Sequence, residues 1–149
     1  LSKALCDVMK NLSHQIIKDG EGLSKLIEVE VLRASNKNQA KKIAFSIVNS
    51  PLVKTAIAGE DPNWGRVIAA IGKSYEKIDQ NKIILSFGKN IVCKNGKVSN
   101  RINYKKLGKY LKEKIIKIKV DLGMGNISKT VVGNDLGHQY IRINADYRS

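Results

Sequence analysis

The stretch Lys25–Arg33, "KLIEVEVLR", alternates apolar and polar residues with a period of two. Ile27, Val29 and Val31 fall on one side, and Glu28 and Glu30 on the other. That is the pattern of a β-strand with one buried and one wet face. What flanks it decides the kind of sheet it joins. Downstream, Ala40, Ile43, Ala44, Ile47 and Val48 recur at helical spacing, with Ser35 placed to cap the helix. Ser50-Pro51 is an N-cap followed by proline at the first helical position, and it predicts a short helix through Leu52, Val53 and Ala56 that stops at Gly59. Asp61-Pro62 repeats the device and predicts a further helix across "PNWGRVIAAIG" (62–72).

The second half turns to strands. "KIILSF" (82–87) and "NIVCK" (90–94) are apolar runs, and Asn95-Gly96 is a hairpin turn leading into Lys97 and Val98. A helix with Leu107, Tyr110 and Leu111 on one side spans 104–114, and "IKIKVD" (116–121) alternates as a strand. Beyond the loop "LGMGN", "SKTVV" and "HQYIRIN" read as two more strands. Upstream, Leu5, Val8, Met9, Leu12 and Ile16 predict a helix over 2–18, stopped at Asp19-Gly20. The order predicts an α+β fold of mixed sheets with packed helices. No repeat or low-complexity linker interrupts it, so residues 1–149 are expected to form one unit without an internal boundary. A start on Leu1, directly inside a helical pattern, is expected of a fragment or a processed chain.

An apolar content of 42% is enough for a packed core. The sequence contains neither an apolar run of membrane-spanning length nor the basic-then-apolar order of a signal peptide. The net charge of +14 meets the first test for a nucleic-acid binder. However, 22 of the 27 basic residues are Lys, dispersed along the chain, and aromatic residues make up only 5%. Phosphate and base recognition favours clustered Arg and stacking aromatics, so a non-catalytic basic module that binds nucleic acid is the alternative and not the leading reading. Cys6 and Cys93 make no disulfide framework and read as reduced thiols. Neither His14 nor His138 has neighbours at metal-ligand spacing, so no metal site is expected. A Cys6–His14 or Cys93–His138 dyad would have to form in space.

Three further segments admit two readings each. In "KDGEG" (18–22), Glu21 is either a solvated turn carboxylate or one held where backbone can approach an ammonium ligand closely. In "GEDPNWGR" (59–66), the helix start, Trp64 and Arg66 either anchor structure or line a polar site. There Arg66 can pair with Glu60, with Asp61 or with a carboxylate ligand. The ending "YIRINADYRS" either caps a sheet or lines a polar pocket. The glycines of "DLGMGNIS" are better read as a loop needing unusual backbone angles than as a dinucleotide-binding turn, since a strand follows them.

Together, "DGEG" with "KLIEVEV", "AKKIAFSIVNSPLVKTAIAGEDPNWGRVIAAIG", "VDLGMGN" and "YIRINADYRS" resemble the ornithine acetyltransferase family. Its members are also called bifunctional glutamate N-acetyltransferases, of the cyclic route of arginine biosynthesis. The resemblance covers nearly the whole chain and is most specific in "SPLVKTAIAGEDPNWGR" and "RINADYRS". It implies an N-terminal-nucleophile-like layered fold of the DmpA/ornithine acetyltransferase type, in a cytoplasmic enzyme with no cofactor. Members are made as a precursor that cuts itself before a threonine, whose freed α-amine serves as base for its own hydroxyl. N2-acetylornithine acetylates that Thr, ornithine leaves, and glutamate takes the acetyl group. Many members also accept acetyl-CoA. The oxyanion hole comes from the α chain.

Thr55 and Thr130 are the only threonines here, both internal and neither like the cleavage-site residue. The resemblance therefore aligns the chain with the C-terminal part of the β chain, with no catalytic residue in it, and implies that it is inactive alone. The implied partners are the α chain and the remainder of the β chain, in an α2β2-type assembly. The implied substrate-binding residues are Glu21, Asn144 and Ser149, with Ser standing where the family has Thr. Asn63, Trp64 and Arg66 are expected to support the pocket.

Overall fold

The computed structural model describes residues 25–135 and, for the backbone alone, Ile143–Asn144. The helix expected over 2–18, Cys6, His14, Glu21, His138 and Ser149 lie outside these residues. Strand β1 is Leu26–Ala34, followed by helices α1 (Lys37–Val48), α2 (Pro51–Ala58) and α3 (Trp64–Gly72). A 3-10 turn at Gln80–Lys82 leads into β2 (Ile84–Phe87), β3 (Asn90–Lys94) and β4 (Lys97–Val98). Helix α4 (Tyr104–Tyr110), β5 (Ile115–Asp121), β6 (Ile127–Asn134) and β7 (Ile143–Asn144) complete the order. The seven strands form one sheet in the order β4-β3-β2-β5-β1-β6-β7. Only β1 and β5 are parallel, joined by the long crossover through the helices, so the expected mixed α+β architecture holds. No described helix is long and apolar enough to cross a membrane.

The alternation read in "KLIEVEVLR" sorts the sheet into two faces. Ile27, Val29 and Val31 lie in register with Ile116, Ile118 and Val120 of β5, and Val29 also with Val131 of β6. All of these are fully buried and continue into Ile43, Ala44 and Ile47 of α1 and Val67 and Ile71 of α3. The opposite face carries Glu28, Glu30, Lys117, Lys119 and Asp121, with Lys117 Nζ 3.0 Å from Glu30 Oε1.

Glu28 departs from the wet face expected of it: it is 4% exposed, and its Oε1 has no hydrogen-bond partner. β1 is flanked on both sides, and Glu28 lies in register between Lys117 of β5 and Val132 of β6. Burial raises the Glu28 pKa above its ordinary 4.5, and Lys117 offsets part of that rise. A carboxyl whose folded pKa lies above the unfolded one lowers stability as pH rises from 4.5 through the folded value, and the loss is complete above it. Glu28→Gln is therefore expected to raise the urea midpoint at pH 7, with the gain vanishing below pH 4.5. A gain independent of pH would contradict this.

Local chemistry moves three element ends from where the sequence places them. The cap of α1 is Asn36 and not Ser35: Asn36 Oδ1 accepts from Gln39 N–H at 2.8 Å, while Ser35 N–H and Oγ are both taken by Gln39 Oε1. Helix α4 stops at Tyr110 and not at 114, because the Tyr110 hydroxyl accepts Lys117 N–H at 2.8 Å and β5 must start at Ile115. The first apolar strand of the second half begins at Ile84, residues 80–82 being spent on the 3-10 turn. The Asn95-Gly96 turn forms as read, with both residues at positive φ (53° and 75°).

Candidate functional site

The start of β1 is where the polar chemistry converges. Lys25 N–H donates to Asp135 Oδ1 at 2.9 Å, and Asp135 N–H returns a bond to the Lys25 carbonyl at 3.1 Å. The Lys25 ammonium donates to the Glu113 carbonyl at 2.8 Å and lies 3.6 Å from Glu60 Oε2. Lys25 is 5% exposed and Asp135 8%, and Lys54 of α2 is buried as well. Desolvation pushes the Asp135 carboxyl up, against its hydrogen bond from Lys25 N–H and the nearby charges of Lys25 and Lys54. One corner thus fastens the beginning of β1, the end of β6, the turn before β5 and the α2–α3 turn.

Glu60 enters this corner from a strained backbone. Asp61 N–H bonds to the Ala56 carbonyl and Glu60 N–H to that of Ile57, a Schellman ending in which the left-handed position falls on Glu60 (φ 55°) instead of Gly59. A non-glycine residue there costs about 1 kcal/mol, and in this position its carboxylate reaches Lys25.

The rest of "GEDPNWGR" is tied to its own helices. The cap of α3 is Asn63, whose Oδ1 accepts from Arg66 N–H at 3.3 Å, and not the Asp61-Pro62 pair. Asp61 gives its backbone N–H to the end of α2, and its Oδ2 accepts from Asn63 Nδ2 at 3.5 Å. Trp64 is half-buried against the core. Among the described residues Arg66 makes neither of the expected pairs with Glu60 or Asp61. Its Nη1 donates to the Leu52 carbonyl at 2.9 Å and staples α3 to α2.

Of the substrate-binding residues implied by the sequence, Glu21 and Ser149 fall outside the described residues. Asn144 is placed by its backbone in β7, opposite Val131 of β6, which is itself opposite Val29. Sequence reasoning singled out neither Lys25 nor Asp135. The one available signal was Lys54, a lone cation in the apolar helix "PLVKTAIA". "DLGMGN" is structural: Met124 and Gly125 N–H both donate to the Arg33 carbonyl, and Gly123 holds φ 64°. Cys93 is a free, buried thiol whose pKa burial pushes up. Among the described residues no group of three or more His, Cys, Asp or Glu could hold a metal.

Three comparisons bear on this geometry. The model of the ArgJ family matches residues 1–149. The arginine biosynthesis bifunctional protein ArgJ of Ruegeria pomeroyi is 49% identical over 146 residues, covering 98% of this chain and 36% of that protein. The protein of the same name from Brucella suis is 47% identical over 147 residues, covering 99% and 36%. A crystal structure of the arginine biosynthesis bifunctional protein from Bacillus halodurans superimposes with a TM-score of 0.76 at 42% identity, covering 93% of this chain and 65% of that one. The chain spans 36% of the length of these two curated relatives.

Proposed function

This chain belongs to the ArgJ family, and on that premise we propose that it is the substrate-binding C-terminal portion of a glutamate N-acetyltransferase of arginine biosynthesis. The layered N-terminal-nucleophile-type fold comes with membership. The family match lends no support to the nucleic-acid-binding alternative.

In the proposed reaction a threonine hydroxyl outside this chain attacks the acetyl carbonyl of N2-acetylornithine. The bond from carbonyl carbon to N2 breaks, the amine takes a proton and ornithine departs. The amine of glutamate then attacks the acetyl-threonine ester and restores the hydroxyl. The role of this chain is to hold the amino acids. Glu21 binds an ammonium, and Asn144 and Ser149 bind polar atoms of the substrate. Asn63, Trp64 and Arg66 support the wall by fixing α3 against α2. The α chain, with its oxyanion donors, and the remaining β chain are the proposed partners in an α2β2 assembly in the cytoplasm. Acetyl-CoA is a second acetyl donor.

The observation that carries this reading is a family match running from the first residue of the chain to the last. The test is made on the complete protein. N2-acetylornithine labelled in its acetyl group is supplied with glutamate, and labelled N-acetylglutamate is expected in an amount equal to the ornithine released. Failure to transfer label from either N2-acetylornithine or acetyl-CoA would overturn the proposal.

A further inference from the structure

We propose that Lys25 and Asp135 are positioning residues for substrate binding, acting as a clamp that fixes the two chain segments bearing Glu21 and Asn144; this rests on the function proposed above. Glu21 precedes Lys25 by four residues, and Asn144 follows Asp135 by nine. In chain order both clamp residues fall between them. The clamp's two backbone-centred bonds, Lys25 N–H to Asp135 Oδ1 and Asp135 N–H to the Lys25 carbonyl, fix the entrance of β1 against the exit of β6. The side chain of Lys25 adds a third direction by reaching the Glu113 carbonyl at 2.8 Å and Glu60 at 3.6 Å.

Three observations favour positioning over plain stability. The corner uses buried charges, although an apolar pair of similar volume would hold a strand end at no desolvation cost. Glu60 keeps a left-handed backbone at the residue that faces Lys25, next to a glycine that could have taken that conformation without strain. Asn134, adjacent to Asp135, is fully buried with both side-chain polar atoms unpartnered. The end of β6 therefore holds more polar chemistry than a strand terminus needs.

The test compares Asp135→Ala, Asp135→Asn and Lys25→Met in the complete protein, with Glu21→Gln in parallel and a urea midpoint for each. Asparagine keeps an Oδ1 acceptor for Lys25 N–H, and alanine removes it. Asp135→Ala is expected to raise KM for N2-acetylornithine about tenfold, the equivalent of one lost hydrogen bond, with kcat little changed. Asp135→Asn is expected to restore KM to near the parent value. Lys25→Met keeps the bulk of the stem and the backbone pair, and should raise KM severalfold. It decides the question should Asp135→Ala not fold. A KM unchanged in the folded variants, or Asn and Ala equally impaired, would overturn the clamp. If Glu21→Gln raises KM while these do not, only the clamp fails. If Glu21→Gln also changes nothing, the substrate-binding reading falls with it.

Discussion

Replacing Glu21 by alanine in the complete protein is expected to lower kcat/KM for N2-acetylornithine about a hundredfold, the ~3 kcal/mol typical of a charge-assisted bond lost from a desolvated site. N2-acetylornithine has a single ammonium, on its side chain, because the α-nitrogen is acylated. A carboxylate on a glycine-flanked turn can approach that ammonium closely. Glutamate must present an uncharged amine to attack, and its side chain is a carboxylate. The second half-reaction should therefore lose less than the first. Steady-state kinetics with each substrate varied in turn measure both losses. Equal losses in the two halves would mean that Glu21 acts through folding or through the nucleophile and not on the ammonium. No loss at all would remove Glu21 from the site.

The largest expected effect on stability is at Gly125. A Cβ added there would lie 2.4 Å from the Ala34 carbonyl oxygen and 2.9 Å from Ser35 Cα, both backbone atoms that cannot swing aside. The contact is this close because Gly125 N–H must reach the Arg33 carbonyl at 2.9 Å, stitching the β5–β6 loop over the bulged end of β1. Gly125→Ala is expected to cost about 3 kcal/mol, the upper range for forcing volume into a packed site. Gly72 is the matched control: it ends α3 with nothing within 4 Å of an added Cβ. Gly72→Ala should instead stabilise by about 0.5–1 kcal/mol, through helix propensity and a less free unfolded chain. Urea midpoints of the two variants should move in opposite directions. A shift of the same sign in both would show that the loop is not held as described.

What was legible in the sequence divides along a physical line. Patterns whose cause lies within a few residues were readable. The period of two in β1 and β5 and the φ-demanding Asn95-Gly96 turn formed as expected. So did the Ser50-Pro51 cap of α2, where Ser50 Oγ accepts Val53 N–H. Where two neighbouring side chains compete for one job, sequence chose wrongly. Ser35 stands beside Asn36, and Asp61 beside Asn63. Ser35 is engaged by the Gln39 side chain one turn on, and Asp61 gives its backbone N–H to the end of α2, so these contests are decided by local geometry that residue type does not reveal. Long-range pairing was not readable at all. Lys25 and Asp135 are separated by 110 residues and meet only because β1 lies beside β6. Glu28 is buried in register between Lys117 of β5 and Val132 of β6, neighbours set by strand order and not by strand pattern. The proposed substrate-binding residues came from resemblance, since a glycine-flanked carboxylate or a terminal amide has no local signature of its own.

The most direct measurement is a crystal structure of the complete protein soaked with N2-acetylornithine. The Glu21 carboxylate and the Asn144 side chain are expected within about 3.2 Å of polar atoms of the same ligand molecule. The Lys25–Asp135 pair should remain closed between the two segments that carry them. A ligand bound elsewhere, or bound with Glu21 and Asn144 both out of reach, would contradict the assignment of substrate recognition to this chain.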